Sequence, residues 1–180
     1  MASKDIVADA CFLLNLLATD RPRDLVLAAD ASLATTERAL REVCYLQVDG
    51  SEGIERVSVD AIEAIGADRL RIEVMFGKAQ EEFVRAAQFL RDADASVVAL
   101  AAAMGKPLAT DDGRVCRILR EQFGTITRIS TLEFLRTASS ALNLSESELR
   151  HIAAGVRFRG RFDPPRTDPF REWFLSLLIR

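Results

Sequence analysis

A chain of 180 residues that is 49% hydrophobic can build one domain with its own core, so neither disulfides nor a structural zinc is needed. Its net charge of −3 gives no global attraction to nucleic acid; a phosphate backbone has to be met by a local basic patch or through a bound metal. Cys11, Cys44 and Cys116 are far apart among apolar neighbours and read as reduced core thiols, and the longest apolar run, Val97 to Met104, is too short to span a bilayer. With no signal segment before the first strand, the expectation is a cytoplasmic protein without a membrane span.

Asp5 to Ala8 is predicted as a buried first strand running directly into a helix from Cys11 to Ala18. Asp20 is placed to cap a second helix, with Pro22 in its first turn and Ala29 at its end. A short strand at Ser32–Ala34 is followed by a helix from about Thr36 to Gln47, with Ala39, Leu40, Val43 and Cys44 as its apolar stripe. Between Gly50 and Gly77 the pattern is weak: Val57 and Val59 alternate, Ala61–Ile65 is helical in character, and Leu70, Ile72 and Val74 alternate again. Lys78 to Arg91 is helical, with Phe83, Ala86, Ala87 and Leu90 on one face.

The segment from Asp94 to Asp112, DASVVALAAAMGKPLATDD, carries the most information. An acidic residue opens an apolar helix, a Gly stops it, and a short strand leads into Thr-Asp-Asp. Gly113 then opens a helix bearing Val115, Ile118 and Leu119, Ile126–Ile129 suits a last strand, and Ser130 or Thr131 can cap a helix through Leu135. Near the end, Ser145 and Glu148 have capping-box spacing before a helix that Gly155 is expected to end, and Asp168-Pro169 starts a terminal helix through Ile179. Strands alternating with helices predict an α/β fold with a parallel sheet.

Ligands in such folds bind outside the carboxyl ends of the strands, where Asp9 and the Thr110-Asp111-Asp112 run both fall. Taken singly, each carboxylate has a structural explanation: Asp9, Asp94 and Asp112 can cap the helices beside them, with Asp92 a rival for Asp94, and Glu42 can pair with Arg38 one turn earlier. Taken together, strand-end acids far apart in sequence can become neighbours in a parallel sheet, and a cluster of carboxylates suits a hard divalent cation.

The segments VADACFLLNLL around Asp9, ALREVCYL around Glu42 and DASVVALAAAMGKPLATDD make the chain similar to PIN-domain proteins, a nuclease family that includes the toxin ribonucleases of VapC-type toxin–antitoxin pairs. The resemblance covers residues 5–137. It implies a three-layer α/β/α fold with a central, mainly parallel sheet over residues 1–143; the residues after it read as a C-terminal helical appendage over 144–180. It also implies a catalytic Mg²⁺ or Mn²⁺ site built from Asp9, Glu42, Asp94 and Asp112, with Thr110 supporting. The products of RNA hydrolysis would then carry 5′-phosphate and 3′-hydroxyl ends. Where many relatives have Asn, this chain has Asp111, which would bring a fifth carboxylate to the pocket. An antitoxin partner and a homodimer belong to the same expectation, and the alternative is a PIN-like module that binds nucleic acid or protein without cutting.

Other chemistries fit poorly. His151 is the only His and lies in the C-terminal segment, no Gly-rich phosphate loop is present, and no Lys follows Lys106 to serve a receiver-type phosphoryl site. Asp9-Ala10-Cys11 lacks the second Asp of a haloacid-dehalogenase-like phosphatase. From Arg150 to Arg171 there are six Arg and two acidic residues. In this tail Phe158, Phe162, Phe170, Trp173 and Phe174 are expected to dock on the domain, while Arg157, Arg159, Arg161 and Arg166 are candidates for contact with nucleic acid or a partner.

Overall fold

The apolar run after Lys4 forms β1 (Lys4–Ala8), the centre of a five-stranded sheet, in a computed structural model that describes residues 4–50 and 53–179. β1 pairs in parallel with β2 (Ala31–Thr35) on one side and β6 (Leu108–Ala109) on the other. Beyond these lie β5 (Leu70–Ile72) and β7 (Arg128–Ile129), also parallel, giving the order β5-β2-β1-β6-β7. Alternate residues of β1 serve two cores. Ile6 and Ala8 face one, and Val7 faces the other, as period-two side chains must in a strand buried on both faces. The fold is therefore α/β in three layers.

The first helical layer holds α1 (Ala10–Leu17), α2 (Pro22–Ala28) and α8 (Thr131–Ala141), joined by the short α4 (Ala61–Ile65). Here Phe12 meets Phe134 edge-on with centroids 5.2 Å apart. The opposite layer holds α5 (Lys78–Ala86), α6 (Asp92–Met104) and α7 (Gly113–Gln122), with the one-turn α3 (Glu37–Leu40) contributing Ala39. α6 stops at Gly105, whose φ of 61° is the left-handed cap that glycine adopts without strain.

The C-terminal segment joins the first layer. α9 (Glu146–Ala154) begins with the expected Ser145–Glu148 capping box, and α10 (Arg171–Leu178) follows an irregular stretch. Phe162 and Phe174 are buried and meet edge-on at 5.9 Å in the core shared with α1 and α8. Arg136 of α8 lies over the half-buried Phe170 and Trp173. Among the described residues no helix is long and apolar enough to cross a membrane.

Several expectations change. The helix predicted over Thr36–Gln47 ends at Leu40, and the chain then forms an antiparallel hairpin of β3 (Tyr45–Gly50) and β4 (Gly53–Ser58). The stripe Ala39, Leu40, Val43 imitates a helix, but Gly50 and Gly53 interrupt the pattern, and the register pairs them across the hairpin. Asp20 does not cap α2; it adopts φ 62°, and Arg21 occupies the cap position. Val74 lies past the end of β5 and is exposed. Gly155 does not end α9: the chain continues through a π-helical turn (Gly155–Arg159). A Cβ at Gly155 would collide with the Ala18 carbonyl oxygen, so glycine is needed for close approach to α1 and not for a stop. Phe158 is exposed instead of docked, because the π-helical turn directs it outward. Cys11 and Cys44 are exposed and Cys116 is half-buried, so none is a core thiol.

Candidate metal centre

The strand order reverses between β1 and β6. The chain moves from β1 outward to β2 and β5, then returns to the other side of β1. Adjacent parallel strands whose connections leave in opposite directions open a crevice at their carboxyl ends. Asp9 follows β1 directly and Thr110-Asp111-Asp112 follows β6, with Ala8 and Ala109 in register. Two segments a hundred residues apart in sequence thus meet at the carboxyl ends of adjacent strands.

Asp9 is buried, and its Oδ1 accepts the Phe12 N–H at 2.6 Å as the N-cap of α1. Capping does not offset its burial. Burial pushes this carboxyl from its ordinary value up to about 7, against the pull of the Thr110 hydroxyl and the Phe12 N–H, and the charges of Asp111 and Asp94 add to the rise. Asp94 sits in the first turn of α6. Neither it nor Asp92 caps that helix, whose cap position is Arg91 without a side-chain bond. Its pKa is raised by burial and then by Asp112 and Glu42, with Arg114 and Arg91 in partial opposition. Asp94 therefore links the set: it acts on Asp9 and feels both Asp112 and Glu42.

Asp112 caps α7, accepting the Arg114 and Val115 N–H groups at 2.8 Å, both on Oδ1. Glu42 stands exposed in the turn after α3 and not within the predicted helix; Arg38, its expected partner, lies over the Phe83 ring instead. Thr110 is buried and its hydroxyl accepts the Asp112 N–H at 3.2 Å. Asp111 behaves differently from its neighbours. Its Oδ1 accepts from Arg128 at 2.9 Å and its Oδ2 from the Thr131 N–H at 3.0 Å, so both oxygens are committed to β7 and α8. Burial raises its pKa even so.

Three residues that support the site escape a reading of the sequence. The Thr36 and Ser96 hydroxyls meet at 2.6 Å, buried, tying the end of β2 to the first turn of α6, and Thr36 also caps α3. Arg128 is the third, as the cation of Asp111. A Thr at a strand end and a Ser two positions after Asp94 were visible signals, but only the fold makes them partners.

Of the four arginines singled out in the tail, Arg157 is bound to Asp163 and the Phe162 carbonyl, and Arg159 to Asp20 and the Ala18 carbonyl. Arg161 and Arg166 are exposed and make no ion pair among the described residues. Among those same residues, no three acidic, thiol or imidazole side chains stand close enough to share one ion in this conformation. The chain matches no protein-family model, no curated protein and no solved structure.

Proposed function

We propose that the chain is a PIN-domain ribonuclease that hydrolyses RNA phosphodiester bonds with Mg²⁺ or Mn²⁺ held by Asp9, Glu42, Asp94 and Asp112. The observation that carries this reading is Asp9: a buried carboxyl at the reversal of strand order, facing other acids and pushed up to about 7. A protein gains nothing in stability from such a group. A cation relieves it, and an all-oxygen donor set suits a hard divalent ion better than zinc or copper. When bound, such an ion lowers the pKa of its water and offsets charge on the phosphoryl transition state.

The chain's own residues divide the remaining work. Thr110 and the Phe12 N–H orient Asp9, while the Thr36–Ser96 pair holds the first turn of α6 and with it Asp94. Asp111, neutralised by Arg128, fixes the β6 end against α8 and is not counted as a ligand. Glu42, the exposed member, stands at the side open to substrate. The proposal extends, on the resemblance alone, to a cytoplasmic toxin of a toxin–antitoxin pair acting as a homodimer.

Incubation with RNA and Mn²⁺ tests it: the wild type should leave 5′-phosphate ends, while Asp94→Asn and excess EDTA should each abolish cutting. The second reading, a PIN-like module that binds without cleaving, has one observation on its side, the absence of a closed three-ligand group among the described residues. It predicts that Mn²⁺ leaves the melting temperature unchanged. The nuclease reading predicts a rise that Asp9→Asn removes.

A further inference from the structure

A groove of about 190 Å³ opens beside Glu42, between β3 and the π-helical turn, lined by Glu42, Tyr45, Gln47, Arg159, Gly160 and Arg161. We propose that this groove seats a backbone phosphate of a single-stranded RNA, with Arg161 as the clamp that leads the strand past Glu42 to the acidic centre. The proposal rests on the nuclease reading for its destination, but its observations are separate.

Arg161, just past the π-helical turn, differs from the arginines within it. Arg157 and Arg159 are tied down by Asp163 and Asp20, whereas Arg161 is exposed, without an ion pair among the described residues, and held at φ 55°. That left-handed conformation is tolerated by glycine and, as at Asp20, Asp30 and Asn143, by Asp and Asn, but is unfavourable for arginine, and strain of this kind persists only where the surroundings impose it. The surroundings are the π-helical turn before it, a rare arrangement that often marks functional positions, pressed by Gly155 against the end of α1. α1 is the helix that Asp9 caps, so the arginine and the acidic centre share one rigid support.

The occupant follows from size and charge. Small-molecule pockets run to roughly 300–1,000 Å³, so this groove suits one unit of a longer strand better than a free nucleotide. A second guanidinium, Arg56 of β4, lies 4.5 Å over the Tyr45 ring on the groove wall. In a chain of net charge −3 these are local cations placed beside a carboxylate, an arrangement that favours a polyanion reaching that carboxylate through a metal. A planar guanidinium grips a phosphate through two parallel hydrogen bonds, which lysine cannot reproduce.

The test is fluorescence anisotropy with a labelled single-stranded RNA of about 12 nucleotides in EDTA, which prevents metal-dependent cutting during the measurement. Arg161→Gly should weaken binding about fivefold to tenfold at low salt and lower the slope of log affinity against log salt by about 0.7. The same variant should melt about 2–4 °C higher, because glycine removes the strain at this φ. Arg161→Lys should keep the salt slope but lose part of the affinity. A merely structural arginine would give the change in melting without the change in binding. Unchanged RNA affinity and salt slope in Arg161→Gly would overturn the groove. The two proposals fail separately: RNA bound through Arg161 but never cut with Mn²⁺ removes the nuclease and keeps the groove, whereas RNA cut by Arg161→Gly with the wild-type KM removes the groove and keeps the nuclease.

Discussion

The two ends of β1 each carry an aspartate, and the protein treats them in opposite ways. At the N-terminal end Asp5 is partly exposed and meets Arg71 at 3.3 Å and Lys106 at 3.4 Å. At the C-terminal end Asp9 is buried, has no ion pair among the described residues, and feels the charges of Asp111 and Asp94. The difference is not one of local sequence, since both residues flank the same apolar strand. At one end of β1 the surrounding elements supply cations to the aspartate, and at the other the charges acting on it are further carboxylates. An acid matched by the fold is explained by the fold. An acid left among its own kind is explained by the fold only in part, through its cap on α1.

The largest expected effect tests that contrast directly. Asp94→Asn should lower RNA cleavage by at least about 100-fold, the scale of losing a charge that acts on the transition state, with apo stability kept or raised. Asp5→Asn should leave cleavage within about twofold and cost no more than about 1 kcal/mol of stability, as exposed pairs do. Comparable losses of activity in the two variants would erase the distinction between the two ends.

Titration sharpens it. The carboxyl of Asp9 lies near 7 in the folded protein, against 3.8 for the unperturbed group. Below 3.8 both folded and unfolded states hold the proton and Asp9 contributes nothing to pH dependence. Between 3.8 and 7 the folded state retains a proton that the unfolded chain has released, so apo stability falls as pH rises, and above 7 the penalty is complete. Metal competes with that proton. Urea titrations should therefore give a stability that declines from pH 4 to pH 7 in EDTA, and a Mn²⁺-induced rise in melting temperature that is larger at pH 8 than at pH 5. Both trends should flatten in Asp9→Asn.

A smaller effect separates Asp111 from Asp112. Arg128→Ala leaves the buried Asp111 without its cation and should cost about 2–3 kcal/mol, since an uncompensated buried charge remains. The double variant Arg128→Ala/Asp111→Asn should recover much of that loss, because asparagine at 111 keeps an acceptor for the Thr131 N–H. Retained Mn²⁺ binding in the double variant is expected, and its loss would return Asp111 to the ligand set.

What was legible in the chain was what is local. β1, the run from α6 through β6 to α7, and the capping box at Ser145 depend on apolar periodicity, a left-handed glycine and caps within a few residues, all present in the sequence. That the segments carrying Asp9 and Asp112 follow adjacent strand ends was likewise readable from their positions. The hairpin after α3 was hidden because ALREVCYLQ fits a helical stripe, and it misplaced the surroundings of Glu42. Gly155 reads as a stop in the sequence because its real constraint, the Ala18 carbonyl, lies far away along the chain. Partners such as Arg128 with Asp111, and Thr36 with Ser96, exist only once the sheet order is known.

That last pair gives the finest test. Thr36 and Ser96 contain no charge and touch no proposed ligand directly; their bond joins the end of β2 to the turn of α6 that carries Asp94. Thr36→Val keeps the branched shape but removes the hydroxyl, leaving the buried Ser96 Oγ with only the Ala93 carbonyl. The cost should be about 1–2 kcal/mol, part of it the lost cap on α3. If the pair positions Asp94, Thr36→Val should also need more Mn²⁺ for half-maximal cleavage while binding RNA as well as the wild type does, and Thr36→Ser should restore the Mn²⁺ dependence. A loss of stability with an unaltered Mn²⁺ dependence would make the bond a feature of the fold alone, and the contrast between the two ends of β1 would then rest on charge without any contribution from positioning.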